Sequence, residues 1–165
     1  MNSANLRRAL AAAGPDDVPN LFWAAFGWAG WINLSKDSPQ ALTEIPTVVA
    51  VMHRVMRLSP GYHFAGPQLF FGAYYASRPA ILGGNIKKAK KYFERAVKMT
   101  SGKYLMAYVL EARYLAVDSQ DKAFFQNLLR RVQDLPAGGL PGALLTDQVA
   151  KQKAAALLER TNDYF

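Results

Sequence analysis

Apolar residues recur along this chain at spacings of three and four and almost nowhere at two, so the sequence predicts helices throughout and little room for a sheet. The clearest stretch is residues 86–99. Ile86, Ala89, Tyr92, Phe93, Ala96 and Val97 fall on one stripe, while Lys87, Lys88, Lys90, Lys91, Glu94, Arg95 and Lys98 cover the rest. Asn85 is a suitable N-cap, Gly83-Gly84 supplies the turn before it, and Gly102 ends the helix after Thr100 and Ser101. The same logic predicts helices over 20–34, closed by the polar stretch 35–39, and over 46–58, opening on Pro46 and stopped by Ser59-Pro60-Gly61. Others are predicted over 67–77, 103–117, 120–135 and 144–160, with Asp118 and Ser119 as caps between the second and third of these. The loop 136–142 (P-A-G-G-L-P-G) reads as the most flexible stretch.

Helices of this length joined by short connections fit either a closed bundle or stacked hairpins, and internal repetition decides between them. A tetratricopeptide hairpin sets bulky and small apolar residues on its first helix and a small-aromatic-small pattern on its second, so that an aromatic knob fills the space small residues leave. Trp23, Phe26, Gly27 and Gly30 keep the first-helix spacing, followed by Val48, Met52, Val55 and Pro60 for the second helix. Phe71, Gly72 and Tyr75, then Ala89, Phe93 and Ala96, repeat the pattern; at 103–135 only the spacing of Phe125, Leu129 and Val132 survives. The expected fold is therefore all-α: stacked antiparallel helical hairpins with degenerate tetratricopeptide-like repeats, forming a single domain over residues 1–165.

Composition narrows the chemistry. The chain has 165 residues, 51% apolar, which suits a packed core without a metal or disulfide staple. It has no cysteine, which excludes disulfide scaffolds, zinc ribbons and thiol catalysis. No apolar run reaches the roughly 18 residues that a membrane span needs. The start, residues 1–14, sets Arg7 and Arg8 among alanines and is not a secretory signal as written. The net charge of +8 can mean nucleic acid, an anionic membrane or an acidic partner, or only solubility.

Four stretches carry a more specific likeness: WAAFGWAGWINLSKD (23–37), IPTVVAVMHRVMRLSPGY (45–62), RPAILGGNIKKAKKYFERAV (78–97) and VAKQKAAALLERTNDYF (149–165). With them the chain resembles the T-component (TatT-type) family of TRAP transporters, the tripartite ATP-independent periplasmic systems. The best markers are the Arg78-Pro79 to Gly83-Gly84 loop leading into Ala-x3-Phe-x2-Ala, and the tail ending in an aromatic. The resemblance implies a helical, periplasmic, tetratricopeptide-like component that associates with the transporter's solute-binding protein and assembles as a homo-oligomer, a trimer being the expected form. It also implies a lipid anchor at an N-terminal cysteine. This sequence has neither lipobox nor Cys, so either a signal or anchor segment has been removed ahead of it, or membrane attachment does not apply.

No catalytic set, metal motif or cofactor site is expected. His53 and His63 lie on different helical segments, and a surface or interface role outweighs catalysis for both. Gly83-Gly84-Asn85 before Lys87 and Lys88 has neither Walker spacing nor a preceding strand, so it reads as a capped turn rather than a phosphate cradle. The basic face with Lys87, Lys88, Lys90, Lys91, Arg95 and Lys98 is either a solvated face or a surface for an acidic partner; nucleic-acid binding is not expected, for want of a recognition helix or stacking platform. Trp23 and Phe26 are expected in the core. Trp28, Trp31, Tyr62, Tyr74, Tyr75 and Arg78 are the candidate ligand or partner surface, weighed against plain packing, because one helix cannot bury all its tryptophans on a narrow stripe. Arg78 is the one cation of that set and suits a carboxylate. The leading reading is a periplasmic accessory of a TRAP-type transporter that binds the solute-binding protein and, beyond it, a small carboxylate or hydrophobic ligand. The alternatives are a cytoplasmic helical-repeat adaptor for peptides and a helical enzyme.

Overall fold

The computed structural model describes residues 3–35 and 37–165; Met1, Asn2 and Lys36 lie outside the described residues, so the N-terminal segment 1–14 and the polar stretch 35–39 are each seen in part. The chain is all-α, and among the described residues no strand occurs. It divides into two compact units, Met1–Tyr62 and His63–Phe165.

In the first unit, helix α1 (Ser3–Ala12) leads through a single turn at Pro15–Asp17 into α2 (Val18–Leu34), the short α3 (Pro39–Thr43) and α4 (Ile45–Leu58). Neither α1 nor α3 is expected from the apolar pattern. α1 buries Leu10 and half-buries Leu6, too few positions for a period to register. Its C-terminal end is held instead by Arg54 of α4, whose guanidinium donates to the carbonyls of Ala11 and Ala13. A cation there also suits the negative end of the helix dipole. α3 opens on Ser38, whose hydroxyl accepts from the Ala41 N–H.

The core of this unit is the α2–α4 pair, in which Phe22, Ala25 and Ile32 meet Val48, Val51, Met52 and Val55. This corrects the expectation for α2. Trp23 is 47% exposed and Phe26 56% exposed, while Phe22 is the buried ring. The reason is local: α2 carries no charged residue over its length, so periodicity cannot tell its inner face from its outer one.

Helix α5 (Tyr62–Ala76) opens on the last residue of the first unit, and its other residues belong to the second. His63, Phe64 and Ala65 have φ of 47°, 57° and 61°, a left-handed turn of L-residues that costs roughly 1–2 kcal/mol per residue. The right-handed helix resumes after them with Pro67 in its first turn, where a missing N–H costs nothing. In the second unit follow α6 (Ile86–Met99), α7 (Leu105–Leu110), α8 (Lys122–Asp134) and α9 (Leu144–Glu159). α6 matches its expected bounds, with Asn85 Oδ1 accepting from the Lys88 N–H at 2.8 Å. Its aromatic knob Phe93 is fully buried, and a Cβ added at Gly72 would meet that ring at 2.9 Å, so only glycine lets α5 and the knob approach this closely.

α7, α8 and α9 share one core. Leu105, Val109 and Ala112 pack against Phe125, Leu129, Val132, Ala150 and Ala154, and the terminal rings of Tyr164 and Phe165 close over Phe125 at 5.7 and 5.2 Å. The cap of α8 differs from the one expected: Asp121 Oδ1 accepts from the Phe124 N–H, while the Ser119 hydroxyl turns back to the Leu115 carbonyl. Beyond α7 the expected α-helix becomes a π-helical stretch, Glu111–Ala116. The loop 136–142 is tied down by Asp147 of α9, a fully buried carboxylate that accepts from Gly138 N–H and from Leu105 N–H, each at 3.0 Å.

Candidate functional site

The six candidate residues fall in both units. Trp28, Trp31 and Tyr62 belong to the first. Trp28 is half-buried, Trp31 is 45% exposed, and the ring of Tyr62 lies 5.1 Å from Phe22, edge to face. Tyr74, Tyr75 and Arg78 belong to the second, the tyrosines at the end of α5 and Arg78 in the loop just beyond it.

Their arrangement follows from the last turn of α5, which carries the two tyrosines, and from the loop beyond, which carries Arg78. Arg78 stands two residues past the end of α5, and its guanidinium folds back over the Tyr74 ring at 4.0 Å from the centroid, with Nη1 donating to the Tyr74 hydroxyl at 3.2 Å. The turn 77–85 fixes where Arg78 emerges. Gly84 N–H donates to the Pro79 carbonyl and Asn85 N–H to that of Tyr75, while Gly83 takes a left-handed φ of 87°. A Cβ on Gly84 would lie 1.7 Å from the Arg78 carbonyl oxygen. The two glycines of the loop therefore have separate physical reasons, one a backbone angle and the other a close approach.

α6 extends the set with a residue the sequence reading had placed on the core stripe. Tyr92 is half-buried at the edge of that stripe, and its ring stacks on Tyr75 at 5.7 Å with 8° between planes. Burial raises the Tyr92 phenol, Tyr75 adds to this, and Arg95 opposes it. Lys88 Nζ stands 5.2 Å over the Tyr75 ring and the Arg95 guanidinium 5.8 Å over that of Tyr92. Cations and tyrosines thus alternate across one face of α5 and α6. The remaining basic side chains of the predicted face, Lys87, Lys90, Lys91 and Lys98, are exposed, and Lys90 pairs with Glu94 at 4.0 Å.

His53 and His63 are both surface residues, each held below its ordinary pKa chiefly by partial burial, with Arg57 adding to the effect at His53. Among the described residues no group of three or more His, Asp or Glu side chains is placed to hold a metal ion.

Comparison with known proteins decides the family. The model of the family described as TRAP transporter T-component matches residues 1–165. This chain belongs to that family. Among curated proteins it is similar to an uncharacterized protein of Treponema pallidum (strain Nichols), 22% identical over 160 residues, which is 97% of this chain and 50% of the relative. The T-component described here therefore spans about half the length of the curated relative it matches. No helix of the described residues is long and apolar enough to cross a membrane.

The π-helical stretch of this T-component holds a buried carboxyl that sequence reasoning missed. Glu111 is 7% exposed. Burial first, and the charge of Glu94 second, push its pKa up to about 7 against the opposing pull of Lys90 and Arg131. Folding thus favours the neutral acid. The stabilisation is fully present below the ordinary carboxyl value of 4.5 and is lost as pH rises through about 7. Glu111→Gln, which keeps the shape without the charge, should therefore raise the thermal midpoint at pH 8 by several degrees, reflecting on the order of 3 kcal/mol, and change it little at pH 4. Paired melting curves at the two pH values check this; an equal shift at both would remove ionisation as the cause.

Proposed function

We propose that this T-component is the periplasmic accessory of a TRAP-type transporter, that it docks the transporter's solute-binding protein, and that its aromatic–cation face receives a small carboxylate or hydrophobic ligand. Family membership supports the transporter role. The observation that carries the docking reading is the Arg78 guanidinium laid over Tyr74 beside the Tyr75–Tyr92 stack. A guanidinium held this way is pre-organised, so little side-chain freedom remains to be lost when its fork meets a carboxylate. Tyrosine and arginine are also the side chains that concentrate binding energy at protein interfaces.

Homo-oligomer formation belongs to the same proposal, with α2 as the surface that supports it. This helix exposes Phe26, Trp31 and Leu34, the last to 88%, with Gly27 and Gly30 between them. A Cβ added at either glycine meets nothing within 4 Å, so the space is open to an incoming helix. The expected trimer is one of the assemblies such a face can serve.

The site reading is tested with the double variant Tyr74→Ala, Arg78→Ala against the solute-binding protein encoded beside this chain. Loss of the charge-assisted contact, about 1.5–3 kcal/mol, should weaken binding roughly tenfold or more, with the melting temperature held near wild type. Unchanged affinity in a folded double variant would move the docking surface away from α5.

A further inference from the structure

We propose that the tip of the α5–α6 hairpin seats this protein on an anionic membrane surface, with Ile81 and Leu82 entering the headgroup region and Lys87, Lys88 and Lys91 meeting lipid phosphates. This goes beyond the docking reading and does not depend on it.

The tip presents apolar side chains outward. Ile81 is 92% exposed and Leu82 65%, on a single helical turn at Ala80–Leu82, and Ile86 beside them is 41% exposed. The turn is internally fastened. Leu82 N–H and Gly84 N–H both donate to the Pro79 carbonyl, Gly83 N–H donates to Ala80, and Asn85 N–H is anchored on Tyr75. Ile81 and Leu82 are thus held out in water by a fixed backbone and do not fold back onto their own helices.

Charge says what covers them. Eight of the chain's twenty Lys and Arg lie within residues 78–103, with Glu94 as the one acid there, so nearly all of the net charge of +8 resides in this segment. The first turn of α6 contains no acidic residue, yet Lys87 and Lys88 stand at the positive end of its dipole, an unfavourable placement that an anionic surface would relieve. Five of the six cations on α6 are lysines, the compact and strongly hydrated charge suited to a diffuse field of phosphates. An acidic protein groove would call instead for the planar forks of arginine. Exposed aliphatic residues at the turn, followed by the lysines of the first turns of α6, with the half-buried Tyr75 under Lys88, match the order of groups met on entering a bilayer interface.

The test is co-sedimentation of the full chain with vesicles of phosphatidylcholine alone and of phosphatidylcholine with phosphatidylglycerol, at low and high salt, with no solute-binding protein present. Binding is expected to the anionic vesicles only and to fall steeply with salt. The I81S/L82S variant should bind roughly tenfold more weakly, and K87E/K88E/K91E should lose the anionic preference; these positions are exposed, and circular dichroism is the check that the fold is kept. Absence of binding to anionic vesicles at low salt overturns the proposal, as does I81S/L82S binding equal to wild type. Salt-sensitive capture of polyglutamate without vesicle binding would assign the patch to an acidic protein. Self-association abolished by I81S/L82S, again without vesicle binding, would assign it to a second copy. Either result overturns the membrane reading.

Discussion

Asp147→Ala is expected to destabilise the second unit, lowering the melting temperature by about 5 °C. The carboxylate is fully buried and accepts from the backbone N–H groups of Leu105 and Gly138, each at 3.0 Å. One bond satisfies the free donor at the start of α7; the other fastens the loop 136–142. Alanine leaves the buried Leu105 N–H without an acceptor, at a cost of about 1–3 kcal/mol, whereas Gly138 is exposed and water can take over its N–H. This comes to roughly 2 kcal/mol, and each kcal/mol moves the midpoint by about 2–4 °C in a chain of this size. Asn at 147 keeps one acceptor and replaces the other by a donor facing an N–H, so it should fall between wild type and alanine. Tyr104 reports the same charge. Burial, with a further push from Asp147, raises its phenol to about 12, and the alanine variant should bring that titration down, which ultraviolet difference spectra would follow.

Gly84→Ala is expected to open the loop that presents Arg78, at a cost of about 3 kcal/mol or more, whereas Gly83→Asn costs under about 1 kcal/mol. The two glycines are adjacent and equal in composition, but their surroundings separate them. At Gly83 the φ of 87° is the only demand, nothing lies within 4 Å of an added Cβ, and asparagine tolerates left-handed backbone. At Gly84 the added carbon would stand 1.7 Å from the Arg78 carbonyl oxygen and 3.0 Å from that of Pro79, both backbone atoms that no rotamer change can move. The chain must part there, which breaks the Gly84–Pro79 and Asn85–Tyr75 hydrogen bonds and frees the start of α6. Thermal melts of the two variants give the order of stability. The Gly84→Ala protein should also lose the Arg78–Tyr74 contact, seen as a changed tyrosine environment in near-ultraviolet dichroism. Equal melting temperatures for the two would show that the close approach is not a constraint.

Much of the fold was legible where polar and apolar faces differ in kind. α6 sets six cations against three small or aromatic core residues, and its bounds and its cap were read correctly. Val48, Met52 and Val55, and likewise Phe125, Leu129 and Val132, were placed on buried stripes for the same reason. α2 has no such contrast, so its inner and outer rings were exchanged: Phe22 is inside while Trp23 and Phe26 face out. The π-helical stretch was invisible because, over the six residues Glu111–Ala116, a slightly wider turn leaves the sequence period unchanged to the eye. Asp147 was missed because its partners are backbone donors 42 and 9 residues away, and a lone Asp in the first turn of a helix looks like a dipole effect. Within the site, Tyr74, Tyr75 and Arg78 could be read together because they lie within five residues at the end of α5. Tyr92 joins them only through the packing of α6 against α5, which no local pattern encodes.

The most direct measurement is calorimetric titration of this protein with the solute-binding protein encoded beside it, with and without a small carboxylate. Saturable heat whose affinity changes with the carboxylate, and which the Tyr74→Ala, Arg78→Ala protein fails to reproduce, is the expected result. No heat when both proteins are folded would contradict the docking role at its centre.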